Sequence, residues 1–198
     1  MKKLDPEFYR DSVLSVAQKL VGCFLVRACD GGRIIGRINE VEAYDGAMDK
    51  ACHAYGNKRT ARNEPLFRGG GIAHVYFIYG MYNCLNVVTG AKDHPEAVLL
   101  RGVEIVEGLE RAARNRYGRS AGELTRQQMK NLANGPGKLC RAMAVDRTFD
   151  YESLQGDRLY ICERIGGWAR MVSAVESSKR IGIDYAEEAA DFLWRFTG

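Results

Sequence analysis

Two carboxylates and a phenol alternate along Asn39-Glu40-Val41-Glu42-Ala43-Tyr44. If this run is a strand, its period of two puts Glu40, Glu42 and Tyr44 on one face. Like charges on one face raise a carboxyl pKa, and a carboxyl so raised suits a general base working near neutrality. The same side chains could equally make a solvated sheet face whose acids pair with Arg33 or Arg37. A second cluster lies in Val75-Tyr-Phe-Ile-Tyr-Gly-Met-Tyr82, with four aromatics in seven positions. Aromatics in strands usually turn inward. Here, though, Tyr79, Met81 and Tyr82 surround Gly80 where a hairpin tip is expected and burial is hard. Exposed aromatics beside a basic loop suit stacking on nucleobases or wedging between them.

Those residues need a frame. Asp11-Ser-Val-Leu-Ser-Val-Ala-Gln-Lys-Leu-Val-Gly22 has the spacing of a short amphipathic helix, capped by Asp11 and ended by Gly22. Residues 23–29 and 33–44 predict strands joined by a hairpin turn at Asp30-Gly31-Gly32. From Asp45 to Gly71 the chain is polar and glycine-rich, with Arg59, Arg62 and Arg68: a long loop of the kind that is usually functional or disordered. Residues 72–79 and 83–89 predict a second strand pair around Gly80-Met81-Tyr82, and 98–104 a further strand. Helices are expected near 105–117, 125–133 and 136–145, with a turn at Asn134-Gly-Pro-Gly137. Strands at 159–162 and 171–175 and a closing helix at 184–196 complete the pattern. No repeat or low-complexity linker divides the chain, so one domain over residues 1–198 is expected, of mixed α+β class with a largely antiparallel sheet.

At 46% hydrophobic and 27% charged residues, the composition excludes a disordered chain. No run of about 18 apolar residues exists to span a membrane. Met1-Lys2-Lys3-Leu4-Asp5-Pro6 turns acidic too early for a signal-peptide core, so a cytoplasmic protein is expected, nucleoid-associated if prokaryotic. The net charge of +4 is unevenly spread: residues 50–147 hold 16 Lys and Arg against 8 Asp and Glu, the remainder 13 against 17. Arginine outnumbers lysine 20 to 9, and its planar fork grips phosphate. A basic middle between acidic ends suits an anionic partner such as nucleic acid. An Arg-rich genome would leave the same bias.

Cys23, Cys29, Cys52, Cys84, Cys140 and Cys162 form no Cys-x-x-Cys pair and mostly sit in apolar contexts. They predict small buried hydrophobes in a reducing compartment rather than a disulfide framework. Among His53, His74 and His94, only Cys52-His53 is a close pair, too little for a tetrahedral metal site. No metal and no cofactor are expected.

Eight segments taken in order are more specific than any one alone. Arg37-Ile-Asn-Glu-Val-Glu-Ala-Tyr44, Ala51-Cys-His53, Arg59-Thr-Ala-Arg-Asn63 and Val75-Tyr-Phe-Ile-Tyr-Gly-Met-Tyr-Asn-Cys-Leu-Asn86 resemble the alkyladenine (3-methyladenine) DNA glycosylase family. Ala97-Val-Leu-Leu-Arg101, Asn134-Gly-Pro-Gly-Lys-Leu-Cys140, Arg180-Ile-Gly-Ile183 and Trp194-Arg-Phe196 continue the resemblance, which spans roughly residues 5–196.

The resemblance implies a single mixed α/β domain with a curved antiparallel sheet and a protruding β-hairpin. It implies Glu42 as the general base that activates a water against C1′, and Arg101 as the group holding that glutamate and water. By the same resemblance Tyr44, His53 and Tyr76 match the walls and polar contact of the base pocket, His53 through its ring or its backbone. Asn86 matches the residue that discriminates against guanine's exocyclic amine, and Tyr79 the wedge filling the gap left by the extruded base. Arg59, Arg62 and Lys138 are candidate phosphate contacts, Lys138 because its Gly-Pro-Gly-Lys segment opens a helix. The implied partner is duplex DNA carrying 3-methyladenine or a related alkylated purine, with hypoxanthine and ethenoadenine as further candidates. The motif contains no lysine nucleophile, so a monofunctional enzyme leaving an abasic site is implied. A monomer is expected. A non-catalytic nucleic-acid-binding domain, or a hydrolase of small nucleosides using Glu40 with Glu42, are the competing readings.

Overall fold

The computed structural model describes residues 1–78, 80–164 and 174–198. Its frame is an eight-stranded antiparallel sheet that does not close, with four α-helices among the described residues. The central strand is β2 (Gly32–Asp45), flanked by β1 (Phe24–Cys29) and β5 (Glu96–Glu107). Beyond β5 lie β4 (Tyr82–Thr89) and β3 (Ala73–Ile78), paired as a hairpin; beyond β1 lies β6 (Leu159–Cys162). The short strands β7 (Glu176–Ser178) and β8 (Arg195–Thr197) pair with each other, and β8 runs along Glu40–Glu42 of β2.

One register relation places the site. Glu42 stands opposite Leu99, Leu99 opposite Asn86, and Asn86 opposite His74. Residues directly opposite share a face, so these four form a row across β2, β5, β4 and β3. Val41, Ala43, Val75, Leu85, Val98 and Leu100 alternate with that row and join the main core. Helices α1 (Val13–Leu20) and α4 (Pro136–Met143) supply Val16, Leu20, Leu139 and Met143 to it. Burying a side chain such as Leu85, Leu100 or Leu139 contributes about 1.5–3 kcal/mol. The alternation thus spends one sheet face on stability and leaves the other for chemistry.

Two register shifts in the β2–β5 ladder matter locally. The pairing passes from Ile38↔Val103 to Glu40↔Gly102 and then to Val41↔Leu100, skipping Asn39 on one strand and Arg101 on the other. Such bulges re-aim side chains. Gly102 leaves room there for the Asn39 side chain, since an added Cβ would lie 2.6 Å from Asn39 Oδ1 and force that side chain to move. The segment before α4 docks on the same bulge: the Gly135 N–H donates to Arg101 O at 2.7 Å and Val103 N–H to Ala133 O at 3.2 Å.

The antiparallel α+β expectation agrees with this structure, and several boundaries differ. Helix α2 begins at Leu109 rather than near 105, since Ile105 and Glu107 still pair with β2 and Gly108, at φ 79°, turns the chain. Helix α3 covers only Arg126–Lys130, opened by a Thr125–Gln128 capping box. Helix α1 is capped at Ser12, while Asp11 accepts from the Ser12 N–H and the Ser15 hydroxyl. The expected closing helix is instead a 3₁₀ turn at Glu187–Asp191 followed by β8. Local helix preference is overridden there because the Ala43 N–H donates to Trp194 O and Arg195 pairs with Glu40. Of the strand expected at 171–175, residues 171–173 lie outside the described residues, and β7 begins just after it. All six cysteines are free thiols, five of them buried. No helix among the described residues is long and apolar enough to cross a membrane.

Candidate active site

The expected loop at 45–71 is tied down rather than open. It contains 3₁₀ turns at Tyr55–Asn57 and Glu64–Phe67, and Cys52, Ala54, Leu66 and Phe67 pack with Val88 and Ala97 in a small second core. Buried Asn63 knits it, donating to His53 O at 3.0 Å and Lys58 O at 2.8 Å while accepting from the Thr60 N–H. This segment and the segment around Ile181–Tyr185 wall a cleft of about 480 Å³ over the polar sheet face. That volume lies within the ~300–1,000 Å³ typical of small-molecule sites.

At one end of the cleft stands Glu42, with no exposed surface. Its Oε2 accepts the Tyr44 hydroxyl at 2.7 Å and an Arg101 guanidinium N–H at 3.4 Å, and its Oε1 accepts the Ile181 backbone N–H at 2.8 Å. Tyr44, Arg101 and Ile181 all line the cleft, so Glu42 communicates with it through that collar. Burial, reinforced by the Glu42 charge, pushes the Tyr44 phenol far above its usual pKa, which keeps it a donor.

Glu40 is treated differently. Its Oε1 accepts from Arg101 Nε at 2.8 Å and from Arg195 Nε at 2.7 Å. Burial works against its charge, but these two guanidinium bonds outweigh burial and hold its pKa below the usual range. Arg33 and Arg37, the partners expected for a solvated acidic face, pair instead with Glu107 and Glu104. Glu40 therefore anchors Arg101, and Arg101 faces Glu42. Burial opposes the Arg101 charge, and the two glutamates more than restore it.

Behind Tyr44 lies a buried ion pair that sequence reasoning left without a role. The fork of Arg180 meets Asp49, with Nη2–Oδ1 at 2.7 Å, both side chains fully buried. Its guanidinium lies 4.6 Å from the Tyr44 ring centroid and 5.3 Å from that of Trp194. It also donates to Ala43 O at 2.8 Å and Ala189 O at 3.1 Å. The next residue in the chain supplies the N–H that Glu42 accepts. Partners 131 residues apart leave no local pattern; the only sequence trace was the motif Arg180-Ile-Gly-Ile183.

The rest of the cleft is aromatic and amide. His53 and Tyr76 meet edge to face at 4.8 Å. Partial desolvation, then the charge of Arg62, keeps His53 below the usual histidine pKa and favours its neutral ring. Asn86 is buried and donates to His74 O at 3.2 Å. The cleft thus brings together Tyr44, His53, Tyr76, Asn86, Arg101 and Lys138, and Glu42 is hydrogen-bonded to the lining residues Tyr44, Arg101 and Ile181. Lys138 donates to Asn134 Oδ1 at 3.1 Å at the start of α4. A Cβ on Gly137 would come within 2.8 Å of Tyr82 Cδ1, so glycine lets the hairpin sit against that helix.

Arg62 and Arg59 lie outside the cleft. Exposed Arg62 donates to Phe77 O at 3.1 Å. Arg59 forks onto Glu64, donates to Asp93 at 2.9 Å and stacks on Phe67. Tyr79 lies outside the described residues. Its neighbours Met81 and Tyr82 are exposed.

Comparison with known proteins agrees with this geometry. A family model described as methylpurine-DNA glycosylase (MPG) matches residues 7–198. The chain is 47% identical over 196 residues to a protein of Clostridium novyi (strain NT), covering 99% of this chain and 94% of that one. It is 43% identical over 199 residues to one of Clostridioides difficile (strain 630), covering 98% of each. To one of Desulfitobacterium hafniense (strain Y51) it is 45% identical over 196 residues, covering 99% and 95%. All three relatives carry the provisional name 3-methyladenine DNA glycosylase. With an aromatic cleft ending on a buried glutamate, and a family match over almost its whole length, this chain belongs to the methylpurine-DNA glycosylase family.

Proposed function

We propose that the protein is a monofunctional DNA-3-methyladenine glycosylase acting on duplex DNA as a monomer. The observation that carries this is Glu42, a buried carboxylate behind a collar of Tyr44, Arg101 and Ile181 at the end of an aromatic cleft in this family's chain.

A base stacked in a duplex is out of reach of that carboxylate, so the damaged nucleotide must be extruded into the cleft. Exposed Met81 and Tyr82, with Tyr79 between Ile78 and Gly80 in sequence, suit the gap left behind. Tyr44 and Tyr76 offer π faces to the base, and an alkylated purine carrying positive charge gains from them. The buried Asn86 amide in the cleft lining suits rejection of a purine that carries a further exocyclic amine.

The reaction then needs one carboxylate. The C1′–N bond breaks with its electron pair passing to the purine, which in a cationic 3-methyladenine leaves as a neutral base. Glu42 stabilises the positive charge developing on the sugar and takes a proton from the water that bonds C1′. Each carboxylate oxygen can accept more than one hydrogen bond, so Oε1 retains capacity for that water beside the Ile181 N–H. Arg101, anchored by Glu40, holds the carboxylate and water in line. The products are free base and an abasic site with the strand intact.

Glu42→Gln tests this. Release of 3-methyladenine from a duplex should fall about 10²–10⁴-fold, the contribution of a positioned general base, while lesion-DNA affinity stays near wild type. Undiminished release by the variant overturns the assignment. Tight lesion binding by the wild type with no release would establish a binding domain instead.

A further inference from the structure

The mechanism above leaves one titratable pair on the cleft wall without work. His74 is 2% exposed, lines the cleft, and shares the row Glu42–Leu99–Asn86–His74 across the sheet. Its Nδ1 lies 2.9 Å from Asp150 Oδ1. The same carboxylate oxygen accepts the Val75 backbone N–H at 2.9 Å, which fixes Asp150 against the strand. With Nδ1 committed to Asp150, Nε2 is the ring nitrogen left to serve the cleft that His74 lines. A buried histidine oriented through Nδ1 by a carboxylate is the arrangement that holds an imidazole ready to move a proton at Nε2.

Its place in the row matters as much as its chemistry. Three interstrand steps separate His74 from Glu42, about 14 Å between Cα atoms at ~4.7–4.9 Å per step. A water, a sugar carbon and a purine laid in line span a comparable length. A base whose glycosidic bond lies at the Glu42 end therefore directs its far edge toward Asn86 and His74.

We propose that the Asp150–His74 pair is the general acid for neutral purine lesions, such as hypoxanthine, in this cleft; the inference rests on the glycosylase reading. A neutral purine departs as an anion unless it is protonated, whereas cationic 3-methyladenine needs no such help. In the step, imidazolium Nε2–H passes its proton to O6, the acceptor on the far edge of hypoxanthine, as the C1′–N9 bond breaks and its electron pair is delocalised through the ring onto that edge. The base leaves neutral, water oxygen bonds C1′, and the water's proton goes to Glu42. The proton lost at His74 is matched by the one gained at Glu42, and both groups reset through solvent.

The groups facing His74 set its pH dependence. Asp150 follows the 3₁₀ turn at Arg147–Phe149 and sets a carboxylate oxygen 2.9 Å from the ring's Nδ1. His53, on the 45–71 segment with Arg62 beyond it, opposes a second positive charge. Tyr76, with ring centroids 5.6 Å away, and the Asn86 amide across the ladder carry no charge, and Cys84 faces Tyr76. Glu42 stands at the far end of the row.

The test compares single-turnover release of hypoxanthine and 3-methyladenine from matched duplexes by wild type, His74→Gln and Asp150→Asn. In His74→Gln the hypoxanthine-to-3-methyladenine rate ratio should fall about 10²-fold, the lower range for a general acid. The decline of hypoxanthine release on the alkaline side should vanish from that variant's profile. In Asp150→Asn the ratio falls less and the alkaline decline moves to lower pH, because the imidazolium has lost its counter-charge. Release of 3-methyladenine by each variant reports that it is folded. An unchanged ratio, with both rates falling together or neither falling, overturns the proposal. So does a wild type that releases 3-methyladenine but no neutral purine. A wild type that releases neither overturns the glycosylase reading itself.

Discussion

At the β2 end of the cleft Glu42 is wholly buried and both its oxygens are hydrogen-bonded, whereas at the β3–β4 tip Met81 is 64% exposed and Tyr82 46% exposed. The first region is complete before any ligand arrives: Glu40 anchors Arg101, Asp49 anchors Arg180, and Arg180 backs the Tyr44 ring. The second presents Met81 and about half of Tyr82 to solvent among the described residues. Preorganised donors around a reacting carboxylate cost no rearrangement at the moment of reaction. An exposed wedge gains its contacts only when DNA supplies them. The two regions should therefore fail in different assays, one in stability and turnover, the other in affinity.

The largest effect should come from breaking the buried network from behind. Asp49→Asn leaves the Arg180 guanidinium with no counter-charge at a site where both side chains are fully buried. Losing one partner of such a pair costs about 3–5 kcal/mol, read as a lower denaturant midpoint with an unchanged slope. Met81→Ala, on the exposed tip, should stay within about 0.5 kcal/mol of wild type. Equal losses would erase the distinction between the two regions.

A smaller effect is expected one step from Glu42, the proposed catalytic carboxylate. Glu40→Gln removes the charge against which Arg101 and Arg195 are held, so Arg101 should swing and release should slow about tenfold, roughly 1.4 kcal/mol in the barrier. The pH dependence gives an independent check. The folded pKa of Glu40 is depressed, so its stabilising contribution is fully present above the unfolded value of about 4.3. It is lost as pH falls through the folded value. Acid unfolding below about pH 4.3 should thus be shallower in Glu40→Gln than in wild type, and coincident curves would refute the linkage.

The same contrast explains what the sequence made legible. Period-two alternation placed Glu40, Glu42 and Tyr44 on one face, and the hydrogen bonds among Glu42, Tyr44 and Arg101 agree. Alternation is a property of neighbouring residues, so it can be read from a short segment. The partners of those residues are not local. Arg195 reaches Glu40 across 155 residues, and Arg180 reaches Asp49 across 131. The 45–71 segment read as an open loop because its order comes from Asn63 bonds and apolar contacts with β4 and β5, none of them periodic. Residues 184–196 read as helix because Ala and Glu favour one locally, while the open edge of β2 beside Glu40 takes Arg195–Thr197 as a strand. His74 entered only as a possible metal ligand, since its carboxylate partner lies 76 positions away and leaves no local pattern.

At the tip, Met81→Ala should weaken lesion-DNA binding about fivefold, ~1 kcal/mol, the lower end of the range for a side chain set against bases. Release from DNA that is already bound should change less than binding does. A loss confined to turnover at saturating enzyme would instead move Met81 into the same class as the Glu42 collar.

The smallest expected effect distinguishes a free cation from a committed one. Among the described residues Lys138 has a single neutral partner, Asn134, and it stands at the N-terminus of α4, where backbone N–H groups and the helix dipole both favour an anion. Arg59 is already neutralised by Glu64 and Asp93. A phosphate contact made by an unpaired cation releases one condensed counterion, so Lys138→Ala should flatten the plot of log affinity against log salt by about one unit. Arg59→Ala should flatten it by clearly less, because a phosphate must first displace two carboxylates. The reverse order would mean that DNA breaks the Arg59 pairs on binding, and the basic loop would then join the hairpin as a surface completed only by its ligand.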